Sequence, residues 1–163
     1  MVSWAILKAR TENRGGTVRL RSADPRDVPL INFNYFEEGT DTKGRDLAAV
    51  AKGVGFVREI NATLQDLGKI TGEHSPGEQV QDAMLNDWIR ANAWGHHASC
   101  TCPMGPRESG GVLDSRLRVH GVSRLRVMDA SVFPRIPGYF IVSAVYMAAE
   151  RAADMIIADA ANH

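Results

Sequence analysis

The apolar residues between Asp41 and Gly68 recur every three or four positions, which is the spacing of one helical face. The residues that share this spacing are Leu47, Val50, Val54, Val57, Ile60 and Leu64. A helix with one apolar stripe must bury it against other elements, so this segment requires a packed fold around it. Gly53 and Gly55 weaken the helix and indicate close packing against another backbone. The pattern predicts a long amphipathic helix that ends before Gly68.

Further elements are predicted along the chain. The run Ser75-Pro76-Gly77-Glu78 is typical of a helix start, because serine can cap, proline suits the first helical position and the glutamate can reach back to the cap. An alanine-rich segment over residues 144–158 predicts a closing helix. Short alternating runs predict strands at residues 17–22, 30–34, 117–122 and 125–128. Together these patterns predict an α+β fold in which an antiparallel sheet packs with three helices.

Length and charge exclude several classes of protein. The 163 residues indicate one domain over residues 1–163, and 19 Lys and Arg balance 19 Asp and Glu to a formal net charge of zero. Without a basic run, nothing favours a nucleic-acid partner. No apolar stretch approaches the ~18 residues of a membrane span, and the first residues lack the features of a secretory signal. We therefore expect a cytoplasmic chain that binds neither nucleic acid nor membrane.

Residues 96–102 hold two adjacent histidines and two cysteines. Imidazole and thiolate suit zinc or copper, but Cys100 and Cys102 are closer in sequence than structural zinc ligands usually are, and the other histidines are scattered. Small buried hydrophobes are the commoner role for such cysteines, and the two cannot form an ordinary disulfide with each other. A histidine here could also act as a lone base near neutral pH. The residues alone favour structural roles and leave a base open, with a metal site less favoured.

Asp129-Ala130-Ser131 follows the strand predicted over residues 125–128. The end of a strand presents a carboxylate and free backbone N–H groups, and ligands often bind at such ends in α/β sheets. Aspartate is also a common cap for a turn. On the residues alone, the turn-capping interpretation is the simpler one.

The order of several segments carries more information than any one of them. A His-x-x-x-Thr-x-x-Met-Gly segment precedes Val-Leu-Asp, Leu-Arg-Val-His-Gly-Val, Leu-Arg-Val-Met-Asp-Ala-Ser-Val-Phe-Pro and a closing Ala-Glu-Arg-Ala-Ala-Asp-Met-Ile helix. Upstream, residues 14–25 read Arg-Gly-Gly-Thr-Val-Arg-Leu-Arg-Ser-Ala-Asp-Pro. Over about residues 12–158, this order resembles the carboxyl-terminal region of the glucose-methanol-choline (GMC) oxidoreductases. These are FAD-dependent alcohol oxidases and dehydrogenases, the choline dehydrogenases among them.

The resemblance implies roles for three residues. In this family, the histidine that begins the His-to-Met segment lies beside the flavin ring and handles the proton of the substrate hydroxyl; the matching residue is His97. Asp129 and Ala130 match the segment that contacts FAD, with backbone N–H groups near the pyrophosphate and ribityl chain. The resemblance thus implies FAD as cofactor and a small-molecule alcohol as substrate.

Two positions depart from the family pattern. Glycine is usual where Cys100 stands, so the loop after His97 is less permissive here. The second active-site residue of the family, histidine or asparagine, falls on Phe140, which neither donates nor accepts a proton. Substitution by Tyr139 or Arg135, action of the histidine alone, and a different substrate geometry all stay open.

The Gly-x-Gly-x-x-Gly motif that binds the FAD pyrophosphate in this family is missing. The run over residues 53–58 lacks its third glycine and lies inside a helical pattern. We therefore expect residues 1–163 to be the carboxyl-terminal part of a larger enzyme without its amino-terminal Rossmann-type FAD domain. Alone, the chain is expected to be inactive and to retain FAD weakly or not at all.

Two other functions remain as alternatives. The first is a non-catalytic interaction module that forms a homo-oligomer through the surface left by the missing domain, mainly the closing helix and residues 133–141. The second, less favoured, is a His/Cys metal-binding domain.

Overall fold

The computed structural model describes residues 2–161, which form two compact units that divide after Trp94. The elements are β1 (Thr17–Arg19), β2 (Leu30–Asn32), α1 (Arg45–Asp66), α2 (Asp82–Asn92) and α3 (Val142–Ala160), with single 3-10 turns at Arg107–Ser109 and Ala130–Val132. The predicted α+β class with antiparallel strands and three helices is confirmed. That residues 1–163 act as one domain stays a prediction.

The two strands form a short antiparallel ribbon in which Val18 lies opposite Ile31. The turn between them depends on Asp24, whose carbonyl accepts the N–H of Asp27 at 3.1 Å and whose carboxylate accepts the N–H of Arg26 at 3.0 Å. Every residue of both strands is exposed. The strands are shorter than predicted because a two-stranded ribbon has little apolar contact to extend it.

Helix α1 confirms the first prediction, but it begins after Asp41 and not at it. The Asp41 carboxylate accepts the N–H groups of Asp46 at 2.7 Å and Arg45 at 3.0 Å, so this residue caps the helix from outside. These hydrogen bonds, the one from Asp46 first, hold the pKa of the Asp41 carboxyl below its ordinary value. Gly44 provides the turn into the helix at a φ of +63°.

One of the two central glycines of α1 is at a close contact. A Cβ placed on Gly53 would lie 2.8 Å from Cγ2 of Ile6, whereas a Cβ on Gly55 would meet nothing within 4 Å. The predicted close packing therefore occurs at Gly53 alone, and it is against a side chain and not a backbone.

Helix α2 begins at Asp82, so the predicted start at residues 75–78 is wrong. Gly77 has a φ of +93°, which interrupts any helix there. The segment is instead held from α1, because the Arg58 guanidinium forms hydrogen bonds to Glu73 at 2.9–3.2 Å and to the carbonyl of Val80 at 2.9 Å. The core between α1 and α2 contains Leu47, Val54, Val80, Leu85 and Ile89.

In the second unit, the strands predicted at residues 117–122 and 125–128 are also wrong. Only single antiparallel bridges occur there, such as Arg118 with Arg126. Leu117, Gly121 and Arg124 have φ values of +62°, +78° and +61°, which strand geometry excludes. The core of this unit contains Leu113, Leu117, Val132 and Ala152.

Helix α3 is longer at both ends than residues 144–158. Its last turn is tied to the loops by Asp159, which forms ion pairs with Arg116 and Arg126. Desolvation raises the pKa of Asp159, but the charge of Arg116 and hydrogen bonds from both arginines outweigh it, so the pKa lies below its ordinary value. Within residues 2–161, no helix has both the length and the apolar character needed to cross a membrane.

Candidate active site

The segment that follows His97 is hydrogen-bonded to the segment that contains Asp129 and Ala130. Alternate N–H groups of the first segment donate to successive carbonyls of the second. The three bonds are Cys100 to Ala130 at 3.2 Å, Cys102 to Ser131 at 3.0 Å and Met104 to Val132 at 2.9 Å. We call these three bonds the 100–132 ladder. The structure therefore joins the two segments that sequence analysis singled out, although 30 residues separate them.

His97 lies just before this ladder in the chain. Its side chain is half-buried, and within residues 2–161 its imidazole has neither a hydrogen-bond nor an ion-pair partner. The neighbouring His96 is exposed. A partly desolvated imidazole whose nitrogens are not engaged can take a proton from a ligand placed against it.

Asp129 has a local structural task. Its Oδ1 accepts the N–H of Ser131 at 2.7 Å and so caps the 3-10 turn Ala130–Val132. The N–H of Ala130 is the first of this turn and has no acceptor within it. The turn-capping interpretation is thus confirmed, and contact of Asp129 and Ala130 with FAD stays a prediction.

Cys100 stands in a backbone conformation that favours glycine. Its φ is +69°, within the left-handed region. Its half-buried Sγ lies 3.3 Å from Oγ of Ser99. Cys102 is half-buried against the core of the second unit, as expected for a small hydrophobe.

The positions considered for a second active-site residue lie on the surface of the second unit. Phe140 is 73% exposed and Tyr139 is 58% exposed, and Arg135 is exposed as well. The chain is anchored beside them by the buried Ile141. A role for any of the three in proton transfer stays untested.

Two other features bear on the alternatives. Within the described part of the chain, no three His, Cys, Asp or Glu side chains cluster as metal ligands would. A shallow cavity of about 480 Å³ in the second unit is lined by residues that include Met104, Leu113 and His120, and His97 is not among them. Nothing in residues 2–161 therefore favours the metal-binding alternative.

The buried carboxylate of Asp46 was not predicted from the sequence. This side chain is 1% exposed, forms an ion pair with Lys8 at 2.9 Å, and accepts the N–H groups of Glu12 at 2.9–3.0 Å and Asn13 at 2.8 Å. The one available signal was an acidic residue in the first turn of a predicted helix, which ordinarily indicates only a favourable helix-end charge. Its role is to hold residues 8–13 against α1.

The structure thus joins, on an α+β scaffold, the histidine segment and the aspartate segment on which the resemblance above depends. A family model described as GMC oxidoreductase, for the carboxyl-terminal part of these proteins, matches residues 11–149. The chain therefore belongs to the GMC oxidoreductase family.

Individual relatives agree with this assignment. The chain is 41% identical over 145 residues to the glucose methanol choline oxidoreductase atC of Aspergillus terreus, covering 87% of this chain and 23% of that protein. It is 41% identical to the oxygen-dependent choline dehydrogenase of Paraburkholderia phymatum, covering 86% and 24%. Among solved structures, an Aspergillus oryzae formate oxidase, studied for modification of its FAD, matches with a TM-score of 0.75 at 32% identity, covering 88% and 25%. The chain thus spans about a quarter of the length of these relatives.

Proposed function

We propose that this chain is the carboxyl-terminal, substrate-side part of an FAD-dependent oxidoreductase that oxidises a small-molecule alcohol at its CH–OH group. The observation that carries the proposal is the 100–132 ladder, because it holds the His97 segment beside the segment matched to FAD contact. Bound FAD would supply the hydride acceptor for the alcohol carbon. The residues of this chain would orient the alcohol and either accept its hydroxyl proton or stabilise the alkoxide.

His97 is the group proposed to handle that proton. As the hydride leaves, the hydroxyl must lose its proton or be stabilised as an alkoxide, and an imidazole nitrogen can do either. Within residues 2–161 the ring is not committed to another group, and its partial burial strengthens a hydrogen bond to substrate. His97 therefore meets the chemical requirements of the role without help from a second titratable residue.

The residues present fit one edge of a flavin contact and not a whole FAD site. Ala130 and Ser131 have small side chains, and the first N–H of their turn has no acceptor within it, so the backbone can approach a polar ligand. No glycine-rich loop for the pyrophosphate occurs in the 163 residues. We infer that Asp129 and Ala130 would complete a site whose larger part is supplied by another polypeptide segment.

The exposed surface of α3 also supports a site that is completed by another polypeptide segment. Val142, Tyr146, Met147 and Ile157 are each more than half exposed, as are Tyr139 and Phe140 just before the helix. An apolar surface of this kind usually marks an interface. We propose that its partner is the amino-terminal part of the same enzyme. A homo-oligomeric, non-catalytic module is the second candidate, and it predicts a dimer or larger species of the isolated chain in light scattering.

A chimera tests the proposal. The matched 145-residue segment of the Aspergillus terreus relative is replaced by this chain, and both the chimera and the isolated chain are purified and titrated with FAD. We expect the chimera to be yellow and its flavin to be bleached anaerobically by at least one primary or secondary alcohol. The isolated chain is expected to be colourless. Stoichiometric FAD on the isolated chain would contradict the partial site, and a folded yellow chimera that no alcohol bleaches would contradict the activity.

A further inference from the structure

We propose that Cys100 is a positioning residue whose left-handed backbone sets the location of the His97 imidazole. This inference rests on the proposed function, because it concerns the proton-handling residue named there. The claim that the Cys100 backbone sets the location of the His97 imidazole can be tested in the isolated chain, without cofactor or activity.

The 100–132 ladder ends at Cys100. Met104, Cys102 and Cys100 donate in turn, and the Cys100 N–H is the last donor before the chain leaves toward His97. At this residue φ is +69°, a region that residues with a Cβ rarely adopt. The change of chain direction therefore takes place at Cys100.

The backbone turn at Cys100 controls the path of the chain toward His97. Cys100 lies three positions after His97, and three residue steps span up to about 10 Å of chain. A switch of Cys100 to an ordinary extended or helical conformation would redirect residues 97–99 and move the imidazole by several ångströms. Within residues 2–161 the half-buried imidazole has no hydrogen-bond or ion-pair partner that could hold it in place.

Neighbouring hydrogen bonds keep Cys100 in this strained conformation. The acceptor side of the ladder is rigid, since Oδ1 of Asp129 accepts the Ser131 N–H at 2.7 Å and the Asp129 carbonyl accepts the Val132 N–H at 3.2 Å. Val132 is fully buried. Unfavourable backbone geometry persists where its surroundings determine it in this way, and it is often found at functional sites. The backbone at position 100, and not its thiol, is therefore the feature that matters.

This account predicts that glycine can replace Cys100 and that a β-branched residue cannot. The test uses Cys100→Gly and Cys100→Val in the 163-residue chain. Arg124→Val is the matched control, because Arg124 also has a positive φ of +61° but lies in an exposed loop of the same unit outside the ladder. The measurements are amide hydrogen exchange at positions 100, 102 and 104, and the NMR signals and titration of the His97 imidazole.

We expect Cys100→Gly to preserve amide protection and the His97 signals. Cys100→Val should lose protection at position 100 and shift the His97 signals, while Arg124→Val leaves them unchanged. If Cys100→Val does not fold, Cys100→Thr makes the same test with another β-branched side chain, and Cys100→Ala, which removes the thiol but keeps the Cβ, should behave as the parent. Protected amides and unshifted His97 signals in the Val or Thr variant, shifted signals in Cys100→Ala, or an equal shift in Arg124→Val, would overturn the inference.

Activity of the chimera separates this inference from the proposed function. In the chimera, Cys100→Val should lower kcat about 10-fold or more, with a smaller change in KM. Cys100→Gly should keep the kcat of the parent chimera. If the His97 signals shift but alcohol oxidation by the chimera does not depend on His97, the positioning stands and the proposed function fails. If oxidation depends on His97 but its signals do not shift in Cys100→Val, the positioning fails alone.

Discussion

The N–H of Cys100 donates to the carbonyl of Ala130 at 3.2 Å, and this bond joins the histidine segment to the aspartate segment. Neither segment is part of a regular strand, so the contact depends on individual hydrogen bonds and on one unusual backbone angle. The geometry gives the proposed proton acceptor, His97, a defined relation to the residues matched to flavin contact. Under the proposed function, local stability and activity would therefore depend on the same few residues.

Replacing Cys100 by glycine should stabilise the chain. A non-glycine residue in the left-handed region costs about 1–2 kcal/mol, and the extra freedom of glycine in the unfolded chain offsets roughly half of the gain. We expect Cys100→Gly to raise the free energy of unfolding by about 0.5–1 kcal/mol. Urea denaturation measures this change in the free energy of unfolding. Cys100→Ala is the control, because it removes the thiol but keeps the Cβ; an equal gain in that variant would show that backbone strain is not the cause.

The two central glycines of α1 should respond differently to alanine. A Cβ on Gly55 meets nothing within 4 Å, so Gly55→Ala should stabilise by about 0.5–1 kcal/mol through helix propensity alone. A Cβ on Gly53 would lie 2.8 Å from Cγ2 of Ile6, and this clash should cancel or reverse the gain. Thermal unfolding of the two variants, and of Gly53→Ala combined with Ile6→Ala, makes the comparison. Equal effects of the two single substitutions would refute the packing argument.

Removing the buried carboxylate of Asp46 should be among the most damaging changes in the first unit. Asp46→Ala leaves the N–H groups of Glu12 and Asn13 without their acceptor and the Lys8 ammonium without its partner. The expected loss is about 3 kcal/mol, since breaking a buried pair exposes the full desolvation penalty. Lys8→Met should cost less, because the amide hydrogen bonds remain. A loss no larger than that of Asp66→Ala, an exposed carboxylate of the same helix, would contradict this role.

The cap at Asp41 makes stability depend on pH in a defined direction. The pKa of its carboxyl is lowered in the folded chain by the N–H groups of Asp46 and Arg45. A lowered folded pKa contributes stability that is present above the unfolded value, 3.8, and is lost as the pH falls through the folded pKa. Urea unfolding at pH steps from neutral into this acid range should therefore show a smaller acid loss in Asp41→Asn than in the parent. If the free energy of unfolding falls equally with pH in both chains, the Asp41 cap is not the source of the acid loss. Asp66→Asn, at an exposed carboxylate of the same helix, is the control.

Features that depend on local periodicity could be predicted from the sequence. Helices α1 and α3 have uninterrupted apolar spacing and are confirmed, whereas the roles of His97 and Asp129 depend on an ordered set of motifs and stay predictions. The start of α2 could not be predicted, because Arg58 holds the carbonyl of Val80 from another helix. A tertiary contact of this kind leaves no local pattern.

The predicted strands of the second unit failed for a related reason. The apolar alternation around Gly121 is real, but the left-handed backbone at Leu117 and Arg124 bends the chain between single bridges. Apolar alternation predicts which side chains face the core. It does not predict the backbone angles of the segment. The 100–132 ladder was hidden in the same way, since its bonds join residues far apart in sequence.

The most direct test of the proposed function is the rate at which an alcohol substrate bleaches the flavin of the chimera under anaerobic conditions, compared between His97→Gln and His96→Gln. Glutamine keeps the polarity of the side chain but cannot accept the hydroxyl proton. We expect His97→Gln to lower the rate about 100-fold or more, with FAD content unchanged, and His96→Gln to retain the parent rate. Equal rates in the parent and His97→Gln, at equal FAD content, would contradict the proposal that His97 handles the substrate proton.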